Sequence, residues 1–350
     1  MRILIVDTAY LGDLLLATPL IRRAAEISGE GTVDLLTSVA GEAVTRNHPL
    51  VGEVHVFRKR GPGRERAGFR RARAWIRSRH PQFALLPRRS FRSALLAALS
   101  RVPRRVGFAR GVERLLFTDR IFFPASLHQV KRNLSLLRPL GIDPLAGGLS
   151  GHPLEVFPSA EDRQGVESWL AERNLTAPGG FYALAPGSAW ATKRWPPERF
   201  ADLASRLARV RPVVMIGGKA ERGLAQALLE KVAAGDRQDR LHVAAGVFSP
   251  TASAHLLARA AVMVSNDSGA LHLGQAAGVP LVALYGPTAP SLGYAPRGAQ
   301  QRLLGVEGLP CRPCGRHGAR QCPEGHWRCM RDLEVSMVER AVHEVERNAA

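Results

Sequence analysis

A strand–turn–helix–strand pattern runs through Val262–Thr288, and its polar turn holds residue types that bind phosphate. The apolar run Val262–Val264 predicts a strand that ends in the turn Ser265–Asp267. A helix is predicted over Ser268–Ala277, and Leu281–Tyr285 predicts the next strand. This order would place the turn at the carboxyl end of a parallel strand, where open α/β sheets bind ligands.

The start of that predicted helix offers groups that favour an anion. Free main-chain N–H groups of Ser268, Gly269 and Ala270 would combine there with the helix dipole. Gly269 lets a ligand approach the backbone closely, and His272 shares the face of Ser268. Together with Asp267, these residues predict a phosphate or pyrophosphate site. A well-capped helix with a surface histidine is an equally good interpretation at this point.

A second polar loop, APGSAWATKRWPPERF, occupies residues 185–200 after another predicted strand. Ser188, Thr192 and Lys193 supply hydroxyls and a cation, which suit a diphosphate. A basic surface loop above Trp190 and Trp195 is the alternative interpretation.

Two glycines, Gly217 and Gly218, follow the predicted strand Val213–Ile216. They would let a flat base or a ribose lie against the backbone, although the motif is short and common.

The first predicted strand, Arg2–Val6, leads into DTAYLGDLLLATP, residues 7–19. This segment lacks the glycine fingerprint of dinucleotide-binding proteins, so a nicotinamide site is not expected. Gly12 and Asp13 stand at the start of a predicted helix. A carboxylate at that position can act as a general base, whereas a first-turn acid that interacts with the helix dipole is the more common interpretation.

All four cysteines fall in one short segment with the spacing C-x2-C-x7-C-x6-C. They are Cys311, Cys314, Cys322 and Cys329. Such clustering in a cytosolic chain suggests a structural zinc ion, with reduced thiols or a labile disulfide as the alternatives.

Positive charge is concentrated in the first half of the chain. The segment 58–112 holds 17 Lys or Arg and one acid, Glu65, out of a net charge of +19 for the whole chain. Such a patch is typical of proteins that bind a polyanion: nucleic acid, anionic lipid or a phosphorylated glycan. A solvated arginine-rich face is the alternative.

With 350 residues, of which 45% are hydrophobic, the chain can fill the cores of two domains. Neither a signal peptide nor a membrane-spanning stretch is predicted, so a cytoplasmic protein is expected. Strands and helices alternate in both halves, which predicts two Rossmann-like parallel-sheet domains facing across a cleft. The longer predicted helices include Gly12–Ile27, Gly68–Arg79, Val130–Leu140, Pro197–Ala208 and Val335–Arg347.

Taken in order, four segments resemble the ADP-heptose:lipopolysaccharide heptosyltransferases of glycosyltransferase family 9, most closely the heptosyltransferase II type. They are RILIVDTAYLGDLLLATPLIRRA, PGSAWATKRWPPERFADLA, NDSGALHLGQAAGVPLVALYGPT and CRPC…CPEGHWRCM, and they cover almost the full chain. The resemblance implies a GT-B fold. It implies an acceptor domain over residues 1–150, a nucleotide-sugar domain over 151–332, and a helix over 333–350 that returns to the first domain.

The resemblance also implies roles for individual residues. The family's catalytic aspartate falls on Asp13, and its loop lysine falls on Lys193. The other donor-binding positions implied are Gly12, Ser188, Thr192, Gly217, Gly218, Asp267, Ser268, Gly269 and His272. The expected reaction is an inverting transfer of heptose from ADP-heptose to the inner core of lipopolysaccharide, with no metal required for catalysis.

The same resemblance gives the basic half a partner. Arg58, Arg60 and Arg64 are expected to bind the lipid A–core acceptor, and the charged window would hold the enzyme on the cytoplasmic face of the inner membrane. A family relative with another donor or acceptor glycan is the near alternative. A nucleic-acid-binding protein on a Rossmann-like scaffold is the remote one, and nucleic acid is not expected as a partner.

Overall fold

The computed structural model of the chain describes residues 1–58, 65–143, 151–232 and 238–349. The chain divides into two compact units, Met1–Phe157 and Pro158–Ala350. The boundary expected after residue 150 falls at the edge of a segment outside the described residues. The assignment of the units to acceptor and donor stays a prediction.

The first unit is built on a parallel sheet of six strands in the order β3-β2-β1-β4-β5-β6. Its strands are β1 (Ile3–Asp7), β2 (Val33–Thr37), β3 (Val51–Val56), β4 (Phe83–Leu86), β5 (Arg104–Phe108) and β6 (Asp119–Ile121). Its helices are α1 (Leu11–Leu15), α2 (Thr18–Ile27), α3 (Val39–Thr45), α4 (Glu65–Arg79), α5 (Phe91–Leu99) and α6 (Gln129–Leu134). Strand β1 is buried along its whole length, as expected where helices cover both faces of a parallel sheet.

The segment predicted as one helix, Gly12–Ile27, forms two. Helix α1 stops at Leu15, and α2 starts at Thr18 with Pro19 in its first turn. Proline is tolerated there because the first helical N–H groups have no intrahelical acceptor. The predicted helix Val130–Leu140 is likewise shorter, since its second half, Ser135–Leu140, is a 3-10 helix that contains Pro139.

The second unit repeats this plan with a parallel sheet in the order β12-β11-β10-β7-β8-β9. Its strands are β7 (Tyr182–Ala185), β8 (Val213–Met215), β9 (Leu241–Val243), β10 (Val262–Asn266), β11 (Leu281–Tyr285) and β12 (Gln301–Gly305). Its helices are α7 (Ala160–Ala171), α8 (Pro197–Leu207), α9 (Arg222–Val232), α10 (Pro250–Ala258), α11 (Gly269–Ala277), α12 (Arg328–Arg331) and α13 (Val335–Ala349).

The terminal helix α13 packs within the second unit. Val338, Val342 and Val345 are buried in its hydrophobic core, and the Tyr182 hydroxyl donates a hydrogen bond of 2.7 Å to Glu346 Oε2. Burial raises the pKa of Tyr182, and the Glu346 carboxylate raises it further. The predicted return of this helix to the first unit stays a prediction.

Among the described residues, no helix combines the length and apolarity needed to cross a bilayer.

Candidate active site

The strand order of the second unit reverses between β7 and β10. Crevices for ligands form at such a reversal, beyond the carboxyl ends of the strands. The loop at residues 186–196 follows β7, and Asp267 and Ser268 follow β10. The two polar segments singled out in the sequence therefore meet at the one edge of this sheet where a ligand is expected.

An ion pair joins these two segments. The ammonium of Lys193 lies 2.7 Å from Asp267 Oδ2, and the hydroxyl of Thr288 donates to the same oxygen at 2.6 Å. Asp267 and Thr288 are both buried. This charge-assisted hydrogen bond fixes the position of the partly buried lysine head group. Thr288 was not predicted, although it ends the segment whose sequence first pointed to the site.

The hydroxyl of Ser268 stands at the start of α11. Ser268 is the N-cap residue, with extended backbone angles of φ −146° and ψ 178°, and its side chain caps no N–H. Its Oγ is buried and has no hydrogen-bond partner among the described residues. A phosphate oxygen at this helix N-terminus would satisfy both the hydroxyl and the free amides.

Two further donor-site predictions lie close to this helix start. Gly269 is the first residue of α11, and His272 is buried one turn further along the helix. The Tyr285 hydroxyl at the end of β11 is buried as well, and burial together with the Asp267 carboxylate raises its pKa well above the ordinary value.

Asn266 fixes the β7 loop to the end of β10. Its Oδ1 accepts a hydrogen bond of 3.1 Å from the Trp195 N–H, and its Nδ2 donates one of 2.8 Å to the Pro186 carbonyl. Asn266 is fully buried, so both bonds are shielded from water. This amide clamp was not predicted, because a polar residue in a turn gives no indication of which distant loop it bonds.

The glycines after β8 make room for a carboxylate that the sequence reading also missed. Glu221 Oε2 accepts a hydrogen bond of 2.7 Å from the Gly218 N–H. A Cβ at Gly187 would overlap Glu221 Oε1, and one at Gly217 would lie 2.9 Å from Oε2. Side chains at these positions would displace the carboxylate. The G-x-x-E spacing of Gly218 and Glu221, a helix-capping pattern, was the available signal.

A separate carboxylate cluster occupies the first unit, where strand order reverses between β1 and β4. Arg88, which follows β4, contacts Asp13 Oδ1 at 3.0 Å and Asp7 Oδ2 at 3.3 Å. It also donates to the Asp13 carbonyl at 2.8 Å. The arginine therefore orients both carboxylates.

The two aspartates differ in their access to solvent. Asp7 is fully buried, whereas the Asp13 side chain is 28% exposed. Burial raises the pKa of Asp7; Arg88 opposes that shift and the Asp13 carboxylate adds to it. Only Asp13 is open to a hydroxyl group that approaches from outside, which is what a general base requires. Gly12 precedes it in α1 and is buried.

The sequence pattern of glycosyltransferase family 9 (heptosyltransferase) matches residues 70–327, well over half of the chain. The chain belongs to glycosyltransferase family 9. It is therefore an enzyme of glycosyl transfer. The resemblance read from the four sequence segments is confirmed.

One curated relative and two solved structures match the chain over most of their length. The chain is 27% identical over 300 residues to the lipopolysaccharide heptosyltransferase 2 of Escherichia coli K12, covering 83% of this chain and 84% of that protein. Among solved structures, the family 9 glycosyltransferase of Veillonella parvula gives a TM-score of 0.84 at 22% identity, covering 99% of this chain and 97% of that one. The E. coli ADP-heptose heptosyltransferase II gives 0.79 at 22% identity, covering 100% and 99%. The predicted GT-B fold is confirmed.

In this family 9 chain the cysteine segment packs on the loop that carries Lys193. The Thr192 hydroxyl donates to the Ala319 carbonyl and accepts from its N–H, both at 2.8 Å. A Cβ at Gly318, whose φ is +76°, would meet Thr192 Oγ1 at 3.0 Å. The buried Ser188 lies in the same loop, and its Oγ accepts from the Trp190 N–H at 3.4 Å. Contacts of Ser188 and Thr192 with the donor stay predictions.

The four cysteines are free thiols in the structure. Cys314 Sγ donates to the Cys311 carbonyl at 3.0 Å, and Cys311 Sγ lies 3.9 Å from His326 Nε2. Burial raises the pKa of Cys314, and it raises that of Cys329 to about 11. Over the ranges that the structure describes, no group of three or more His, Cys, Asp or Glu side chains is placed to hold a metal ion. The zinc site stays a prediction without geometric support.

Of the arginines expected to bind the acceptor, Arg58 is exposed just after β3. Arg60 and Arg64 lie outside the described residues, so their role also stays a prediction.

Proposed function

We propose that this family 9 enzyme transfers heptose from ADP-heptose to the inner core of lipopolysaccharide, at the step of heptosyltransferase II. The observation that carries the proposal is the cluster of Lys193, Asp267 and Ser268 at the start of α11, which fits a diphosphate. The match to the E. coli heptosyltransferase 2 supports this donor and this acceptor.

The proposed reaction is a single in-line displacement. Asp13 removes the proton from an acceptor hydroxyl, and that oxygen attacks the anomeric carbon of the heptose and inverts it. The bond from the anomeric carbon to the diphosphate breaks, and ADP leaves with the electron pair. Arg88 acts as a positioning residue because its guanidinium contacts both the carboxylate and the main-chain carbonyl of Asp13.

The donor unit stabilises the leaving group. Negative charge grows on the diphosphate in the transition state, and the ammonium of Lys193 and the amides at the start of α11 are placed to meet it. The diphosphate would replace Asp267 as the ion-pair partner of Lys193. The Asp267 carboxylate could then accept hydrogen bonds from hydroxyls of the sugar. The Glu221 carboxylate would accept hydrogen bonds from the hydroxyls of the ribose, and the glycines around it leave room for that sugar.

The acceptor is proposed to bind the basic half, with the enzyme working at the cytoplasmic face of the inner membrane. Phosphates and carboxylates of a lipid A–core intermediate match the excess of positive charge over residues 58–112.

Product analysis tests the proposal. The enzyme is incubated with ADP-heptose and, in parallel, with Kdo2-lipid A and with heptosyl-Kdo2-lipid A, and the products are weighed by mass spectrometry. Gain of one heptose on the heptosylated acceptor alone is expected. Gain of a heptose on Kdo2-lipid A alone would mean that the enzyme catalyses the first heptosyl transfer and not the second. A product formed only with another sugar nucleotide would contradict the donor assignment.

A further inference from the structure

A groove on the first unit, of about 740 Å³, combines aromatic, aliphatic and cationic walls. It lies between α4 and α5. Its lining residues are Arg66, Phe69, Arg70, Phe91, Arg92 and Leu95. Phe69 packs against the core beneath the groove, whereas Phe91 is 51% exposed at the start of α5. The groove is thus an open apolar trough between arginines.

The 3-10 helix Val112–Leu116 extends this apolar area. It lies beside the start of α5, since Arg89, two residues before that helix, pairs with Glu113 at 3.1 Å. Val112 and Leu115 are 67% and 70% exposed. An aromatic and two aliphatic side chains exposed in one neighbourhood are a feature of interaction sites more than of an ordinary protein surface. We call this groove and the 3-10 helix together the amphipathic surface.

Positive charge surrounds these side chains. Arg66 and Arg70 are exposed on α4. The charged window of residues 58–112 contains the whole groove. The partner of such a surface must therefore carry negative charge beside accessible hydrocarbon.

We propose that the amphipathic surface inserts into an anionic lipid bilayer. Phe91, Val112 and Leu115 would enter the boundary between headgroups and acyl chains, while Arg66 and Arg70 would bind lipid phosphates. A nucleic acid matches the charge but offers no hydrocarbon to exposed Val112 and Leu115. The inference deepens the proposed function, on which it rests for the lipid-linked acceptor.

The amphipathic surface lies at the same edge of the first unit's sheet as the proposed base, which agrees with binding to a lipid-linked acceptor. Phe91 lies shortly after β4, and Val112 lies shortly after β5, so both stand at the carboxyl edge of the sheet. Asp13 follows β1, which neighbours β4 in the same sheet, and so lies at the same edge. Insertion would bring the proposed base toward the lipid surface on which the acceptor is carried.

Vesicle sedimentation of the full chain tests the proposal. Vesicles of phosphatidylglycerol and phosphatidylethanolamine are compared with vesicles of phosphatidylcholine, and neither contains a glycan. The wild-type protein is expected to bind the anionic vesicles and to keep part of that binding at about 0.5 M salt, because insertion is not screened. The double variant Phe91→Ser, Leu115→Ser should lose about tenfold in bound fraction and keep no salt-resistant part.

Matched controls come from the second unit. Val210 and Val247 are 54% and 47% exposed, so Val210→Ser with Val247→Ser removes exposed apolar side chains elsewhere. Arg66→Gln with Arg70→Gln should weaken binding to anionic vesicles, whereas Arg340→Gln with Arg347→Gln on α13 should not. Complete release of the wild-type protein by salt, or equal binding by the Phe91/Leu115 variant and its control, would overturn insertion. Full competition by a soluble polynucleotide would overturn it in favour of nucleic acid.

Sugar transfer is measured separately, on a short water-soluble acceptor. Unchanged transfer by the Phe91/Leu115 variant, with lost vesicle binding, supports insertion as a property distinct from the chemistry. Vesicle binding without any heptosyl transfer would contradict the proposed function and leave insertion supported. Heptosyl transfer with no vesicle binding would support the proposed function and contradict insertion.

Discussion

The ammonium of Lys193 lies 2.7 Å from the Asp267 carboxylate, across 74 residues of sequence. The contact joins the loop after β7 to the turn after β10. Under the proposed function, a diphosphate would compete with Asp267 for the ammonium of Lys193. Because Asp267 is buried, removal of the lysine would leave its carboxylate without a compensating cation.

Substitution of Lys193 tests its role toward the leaving group. In Lys193→Met, loss of the ammonium should lower kcat by a factor on the order of 10²–10³, since charge grows on the diphosphate in the transition state. ADP affinity measured by calorimetry should fall as well. Lys231→Met, which changes an exposed lysine on α9, is the control. A Lys193→Met enzyme within twofold of the wild-type kcat would remove Lys193 from the mechanism.

Asp13→Asn separates catalysis from donor binding. The substitution keeps the shape of the side chain and removes the proton acceptor, so kcat should fall by a factor on the order of 10²–10⁴. ADP affinity should stay within about twofold, since Asp13 is assigned to the acceptor hydroxyl. Asp202→Asn on the exposed face of α8 is the matched control. Retention of near wild-type turnover by Asp13→Asn would show that another group takes the proton.

Arg88→Met gives a stability test with a defined pH dependence. Burial already raises the pKa of Asp7, and removal of Arg88 takes away the cation that opposes the shift. A raised pKa in the folded state means that the folded form binds the proton more tightly than the unfolded one. Asp7 therefore contributes to the free energy of unfolding at acidic pH. That contribution disappears as the pH rises from the ordinary pKa of 3.8 through the raised pKa of the folded state.

At neutral pH, Arg88→Met should destabilise the protein by about 3–5 kcal/mol in urea titrations, because it leaves a buried charge unpaired. The loss should be smaller at about pH 4.5, where Asp7 can bind a proton. Adding Asp7→Asn should restore much of the stability at neutral pH. An equal loss at both pH values, with no recovery in the double variant, would show that Arg88 acts by packing alone.

Asn266→Ala tests the amide clamp on the loop at residues 186–196. It leaves the Trp195 N–H and the Pro186 carbonyl without their partner, which should cost on the order of 2–4 kcal/mol in the free energy of unfolding. ADP should bind more weakly because the loop that carries Lys193 loses its anchor. Asn348→Ala, on the exposed side of α13, is the control. Wild-type ADP affinity in a destabilised Asn266→Ala protein would mean that the loop is held by other contacts.

The sequence supported prediction of the fold wherever the apolar pattern was regular. The strand Leu281–Tyr285 has the predicted bounds, since it is a short run of buried residues. The strands Arg104–Phe108 and Gln301–Gly305 were missed, because they begin with polar residues and lie toward the edges of the sheets. Local pattern carries little information about such strands, which are stabilised by pairing with a neighbour.

For the site, local motifs predicted Lys193, Asp267 and Ser268, and the structure places all three at the switch point of one sheet. Arg88 and Asn266 could not be assigned in this way. The contact of Arg88 with Asp13 spans 75 residues and depends on β4 lying next to β1. Thr192 shows the converse. The sequence assigned its hydroxyl to a diphosphate, and in the structure that hydroxyl donates a hydrogen bond to the Ala319 carbonyl, 127 residues away.

The mass of the product measures the proposed heptosyl transfer from ADP-heptose to the lipopolysaccharide inner core. With heptosyl-Kdo2-lipid A as acceptor, the wild-type enzyme should form a product heavier by one heptose, and Asp13→Asn should not. Absence of any heptose-bearing product with either core acceptor, while ADP-heptose is bound or hydrolysed, would contradict it.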